Sequence, residues 1–150
     1  MYGTIVVGTD GSPTAGLAVE RAAALAAATG DRLVLVSAYR PVPEDRLAEE
    51  RRDAPEDIAW RINRREEVDS LLAAAAKAAG ALGARVEVKA VVGPPADVIL
   101  DVVDQESAGL VVVGNVGMTG ARRFLVGSVP NKITHHAACD VLVVRTTPSA

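Results

Sequence analysis

Five short apolar runs alternate with stretches of helical composition, and that alternation limits what the chain can become more than any other feature. The runs are Thr4-Ile5-Val6-Val7, Leu33-Val34-Leu35-Val36, Val86-Glu87-Val88-Lys89-Ala90-Val91, Leu110-Val111-Val112-Val113 and Val141-Leu142-Val143-Val144. Each is short, β-branched and bounded by glycine or charge, as strands are. Residues 14–28 are rich in alanine and end at Gly30, a plausible helix C-cap. Residues 56–82 carry Ile58, Ile62, Val68, Leu71, Leu72 and Ala75 among charges. Residues 95–105 follow Pro94-Pro95, suited to a first helical turn, and residues 129–138 follow Ser128, a good N-cap. The order β-α-β-α-β-α-β-α-β predicts an α/β fold, a parallel sheet with helices on both faces.

Strand composition predicts the sheet's edges. The third run sets Arg85, Glu87 and Lys89 between Val86, Val88 and Ala90, so one of its faces is wet and it belongs at an edge. The fifth is apolar throughout, and if it also lies at an edge that edge needs a partner. The charged stretch from Pro41 to Asp57, with Pro43 and Pro55, reads as a surface loop, and Thr147–Ala150 as a frayed tail. The 150 residues are expected to form a single domain, 1–150.

Composition narrows the function. Hydrophobic residues make up 49% but aromatics only 3%, so the core is aliphatic. A net charge of -3 supplies no basic field for nucleic acid or an anionic membrane. The lone Cys139 excludes an intrachain disulfide and a multi-cysteine metal site, which suits a reducing compartment. With no signal-peptide pattern and no long apolar run, a cytoplasmic protein is expected.

Two segments carry candidate chemistry. The first runs from Gly114-Asn115-Val116-Gly117-Met118-Thr119-Gly120 through Arg122-Arg123 to Gly127-Ser128, directly after the fourth strand and into a helix. Glycines let backbone N–H groups approach an anion, and a helix N-terminus adds free donors and the positive end of its dipole. This is the chemistry of a phosphate cradle, although glycines in such a loop also serve as plain turn residues. The second is Gly8-Thr9-Asp10-Gly11-Ser12, at the carboxyl end of the first strand, where ligands of open α/β sheets sit. Its carboxylate suits sugar hydroxyls or a metal, and equally a helix cap. No P-loop, no Gly-x-Gly-x-x-Gly after the first strand and no Gly-x-Ser-x-Gly elbow is present. His135 and His136 diverge by about 100° on a helix, too far apart to chelate one metal. They read as a solvated helix end, Cys139 as a packing residue, Trp60 as a packing or dimer-contact residue, and Arg61–Glu67 as a solvated helix face.

Gly114, Gly117, Gly127 and Ser128 fit the pattern Gly-x2-Gly-x9-Gly-[Ser/Thr]. In this the chain resembles the ATP-binding branch of the universal stress protein family. The likeness extends through Ile5–Ser12, Val92–Ala96, Gly109–Gly114 and Gly127–Arg145, nearly the whole chain. It implies a Rossmann-like sheet in the order 3-2-1-4-5, similar to the adenine nucleotide alpha hydrolases, and a homodimer joined near the fifth strands. It implies that Gly8, Thr9 and Asp10 meet the ribose and adenosine, that Ala38 presents backbone groups to adenine, and that Gly114, Gly117, Gly127, Ser128 and Val129 hold phosphate. Val116 and Pro130 stand where the family often has a cation and an N–H donor. With Ser37-Ala38-Tyr39, the form Gly-Asn-Val-Gly resembles an actinobacterial branch associated with cyclic AMP. The expected ligand is therefore ATP, with magnesium, or cyclic AMP. The expected role is a stress or signalling binding module without catalytic residues, the alternative being a slow ATP hydrolase or phosphotransferase.

Overall fold

The computed structural model describes residues 1–41, 65–115 and 128–146. Along them run β1 (Thr4–Gly8), α1 (Pro13–Thr29), β2 (Arg32–Tyr39), α2 (Arg65–Ala81), β3 (Arg85–Val92), α3 (Pro95–Gln105), β4 (Leu110–Gly114), α4 (Ser128–His136) and β5 (Asp140–Val144). The strands form one five-stranded sheet in the order β3-β2-β1-β4-β5. Every neighbouring pair is parallel. This is the expected α/β architecture, with β3 and β5 at the edges.

Side-chain alternation along the strands divides the core into two layers. Ile5, Val7, Leu33 and Leu35 face α1 and α2, whereas Val6, Val34, Val36, Val111 and Val113 face α3 and α4. Helix α1 meets the sheet through Ala15, Ala18, Ala22, Ala23 and Ala26. That small-residue face lets the helix settle close to the valine-rich strands, so a chain poor in aromatics still fills its interior. Gly30, in the left-handed region at φ +75°, caps α1 as expected.

Two helix boundaries differ from expectation. Helix α4 starts at Ser128 and ends at His136, so Ser128 lies in the first turn and not ahead of it. The helix stops two residues early because Cys139 already leads into β5. The expected helical residues 56–64, the loop after Pro41 and the tail 147–150 lie outside the described residues. Among the described residues, no helix is long and apolar enough to cross a membrane.

Candidate functional site

The sheet order sets β1 beside β4, although β2, β3 and their helices lie between the two strands in the chain. From β1 the chain moves outward to β2 and β3, and from β4 outward to β5. Strand order reverses between them, and a crevice opens at the carboxyl ends of such a pair. Here the cleft is lined by Gly8 of β1, Thr14 and Ala15 of α1, Gly114 of β4, Val129 of α4 and Thr146 beyond β5. Gly8, Gly114 and Val129, expected from sequence to serve one site, thus meet in one cleft. Exposed Ser128 opens α4 one residue before Val129, and the unpaired N–H groups of a first turn favour an anion. Buried Pro130 also lines the cleft. In the first turn its missing N–H breaks no intrahelical bond, but it removes one donor from the anion side.

The acidic turn is built by its own side chains. Thr9 Oγ1 accepts the Gly11 N–H at 3.1 Å, and Asp10 Oδ1 accepts the Ser12 N–H at 2.9 Å. Ser12 Oγ caps α1 by accepting the Ala15 N–H at 3.2 Å. Asp10 thus holds the turn while remaining half-buried. Thr9, 2% exposed, does not line the cleft with Gly8. Side chains of successive residues leave a strand on opposite sides. Thr9 consequently borders a second cavity of about 500 Å³, between α1 and α2, with Gly11, Ser12, Val19 and Leu71.

Ala38 has its side chain buried on the α3 and α4 side of β2, which leaves its backbone as the part it could offer a ligand. The carbonyl of Val36 accepts the Thr9 N–H at 2.9 Å, so Val36 turns its backbone groups toward β1. Two residues on, Ala38 turns the same way. Strand β1 has by then ended at Gly8, so the N–H and C=O of Ala38 project past the ladder. A donor and an acceptor side by side at a sheet end match the paired edge of a heterocyclic base.

Other singled-out residues fall elsewhere. His135 and His136 are exposed in the last turn of α4, with His135 Nδ1 2.8 Å from the Asn131 carbonyl. Burial, and then Asp140, push the Cys139 thiol up, which suits packing and not nucleophilic attack. Gly117, Gly127, Val116, Arg122, Arg123 and Trp60 lie outside the described residues. Among the described residues, no three His, Cys, Asp or Glu side chains are grouped to hold a metal ion. Sequence reasoning passed over Thr146, a cleft residue whose only local signal is its position just beyond an apolar strand.

Comparison with known proteins meets this geometry. The sequence pattern of the universal stress protein family matches residues 1–145. Universal stress protein Rv1636 of Mycobacterium tuberculosis is 40% identical over 147 residues, covering 97% of this chain and 98% of the relative. A universal stress protein crystallised in complex with cAMP is 34% identical, with a TM-score of 0.74 over 97% of this chain and 98% of that one. The universal stress protein of Archaeoglobus fulgidus in complex with dAMP is 26% identical, with a TM-score of 0.68 over 96% and 98% of the two chains. By sequence over nearly its full length, and by a matching fold, the chain belongs to the universal stress protein family.

Proposed function

We propose that this protein binds an adenine nucleotide at the carboxyl ends of β1 and β4, as a stress or signalling module whose ligand alters its association with partners. The observation that carries this reading is the meeting of Gly8, Gly114 and Val129 at the N-terminus of α4, with the backbone of Ala38 projecting at the same end of the sheet. Relatives whose structures are complexes with cAMP and with dAMP support it. Asp10 and the backbone of Thr9 frame the ribose side, the Thr9 side chain being turned into the cavity between α1 and α2, and Gly117, Gly127 and Ser128 complete the phosphate side.

Cyclic AMP binds at least as tightly as ATP in this proposal, with or without magnesium. Pro130 takes one N–H from the α4 turn that a triphosphate would use. ATP brings roughly four negative charges, and an unpaired charge is costly to desolvate. A cyclic monophosphate brings one and asks only for the N–H groups at Gly114 and the start of α4. Asp10 is engaged in the α1 turn, which favours a binding role for it over that of a general base. The protein is placed in the cytoplasm, as a homodimer through β5.

Calorimetric titration with ATP, ADP, AMP and cyclic AMP, with and without magnesium, tests this reading. Gly114→Lys should weaken binding at least tenfold, about 1.4 kcal/mol, while the fold survives. Unchanged affinity in a folded Gly114→Lys variant would sink the site. Tenfold tighter binding of ATP than of cyclic AMP, or steady ATP hydrolysis, would overturn the ligand preference and favour the slow-hydrolase reading.

A further inference from the structure

Thr146 lies two residues beyond β5, lines the cleft with Gly8 and Gly114, and is 5% exposed. Its partner is Asn115, the residue after Gly114. The Asn115 N–H donates to the Val144 carbonyl at 2.8 Å. In return Asn115 Oδ1 accepts both the Thr146 N–H, at 2.8 Å, and the Thr146 hydroxyl, at 3.1 Å. A backbone N–H only donates, so the atom it meets is the amide oxygen. The hydroxyl facing that same oxygen must donate as well. Together these bonds extend the β4–β5 ladder past its last pair, Gly114 with Val144.

The position of this clamp gives it leverage. Within one chain, and among the described residues, strand β5 pairs with β4 alone, so inside the protomer its carboxyl end is held by β4 and by these bonds. The same three-residue stretch that the clamp orders, Val144–Thr146, ends in a wall of the cleft. If that stretch opens, the wall is lost and the peptide of Gly114 loses its restraint. A ligand that fits only the closed arrangement then binds with an affinity reduced by the closed fraction.

We infer that Asn115 and Thr146 are positioning residues for the nucleotide cleft, and that their clamp couples its occupancy to the carboxyl end of the edge strand β5. This rests on the nucleotide reading above. Ligand closes the clamp, and the clamp raises affinity for ligand, because the two describe one equilibrium.

The test is cyclic AMP titration by calorimetry of the parent chain, Thr146→Val, Thr146→Ser, Asn115→Ala and the double variant Asn115→Ala with Thr146→Val. Amide hydrogen exchange of Thr146 is followed in parallel. Breaking the clamp from either side should weaken binding about fivefold or more, and the double variant should be no worse than about twice the weaker single variant. Thr146→Ser restores the hydroxyl and should remain within about twofold of the parent. Saturating cyclic AMP should slow exchange of the Thr146 amide in the parent and not in Asn115→Ala. If Thr146→Val does not fold, that exchange result decides, and an amide indifferent to cyclic AMP overturns the clamp. Parent-like affinity in folded Asn115→Ala and Thr146→Val chains overturns the clamp alone. A parent chain that binds none of the four nucleotides overturns the nucleotide reading and the clamp with it.

Discussion

The carboxylate of Asp31, 5% exposed between α1 and β2, accepts hydrogen bonds from Thr29 Oγ1 at 2.6 Å, Tyr2 N–H at 3.0 Å, Gly3 N–H at 2.9 Å and the Met1 amino group at 3.0 Å. The Thr29 hydroxyl and the Tyr2 N–H, with the amino group and Gly3 behind them, outweigh burial and hold this carboxyl well below the usual carboxylate range. Its folded pKa lies under the unfolded value of about 3.9, so its stabilisation is present above that pH and drains away as pH falls toward the folded value. Asp31→Asn should therefore lower the thermal midpoint at pH 7. The gap to the parent should narrow below about pH 4 in a series of melts against pH. Two glycines predict opposite signs. A Cβ on Gly109 would stand 2.4 Å from the Tyr2 carbonyl oxygen, a backbone atom that cannot swing aside. Gly109→Ala should cost about 1–3 kcal/mol in urea unfolding. A Cβ on Gly16, within α1, meets nothing within 4 Å, and Gly16→Ala should stabilise by about 0.5–1 kcal/mol.

The elements are fastened mainly at their ends. Helix α1 begins with Ser12 at φ -71° and ψ 159°, its hydroxyl accepting from Ala15. Ser12→Ala should cost about 1 kcal/mol, read from the urea midpoint, because it strands that first-turn donor. The two sheet edges are managed differently. Beside β3, Arg32 pairs with both Glu87 and Glu106, and Lys89 meets Glu106 at 2.8 Å. The Lys89 ammonium and then the Arg32 guanidinium lower the Glu106 pKa, keeping this edge charged and unattractive to another strand. On β5, Val141 and Leu142 are half-buried and Val143 is 38% exposed. An apolar edge of that kind suits a twofold mate. Val143→Lys should raise the dimer dissociation constant at least tenfold, about 1.4 kcal/mol, by sedimentation velocity. A parent chain that is monomeric at micromolar concentration would refute the dimer.

For the molecule as a whole, a ligand that binds only the folded state adds stability by mass action. Cyclic AMP at a hundredfold over its dissociation constant should contribute about 2.7 kcal/mol, or about 5–10 °C in thermal midpoint for a chain of this size. The β-α alternation, the wet face of β3 and the glycine segment after β4 were legible in the sequence, because strand and helix periods are local and each run carries its own boundary signals. The family resemblance added the sheet order, and with it the pairing of Gly8 and Gly114 across one cleft. Tertiary structure alone decided which neighbours complete each site. Thr9 turns away from Gly8 because side chains alternate at the strand's end. Asp31 finds Tyr2 and Gly3, 29 and 28 residues away, and Asn115 finds Thr146, 31 residues away. Nothing periodic marks such pairs in the chain. They exist only once the sheet has closed the intervening segments and brought the ends of separate strands within hydrogen-bond reach.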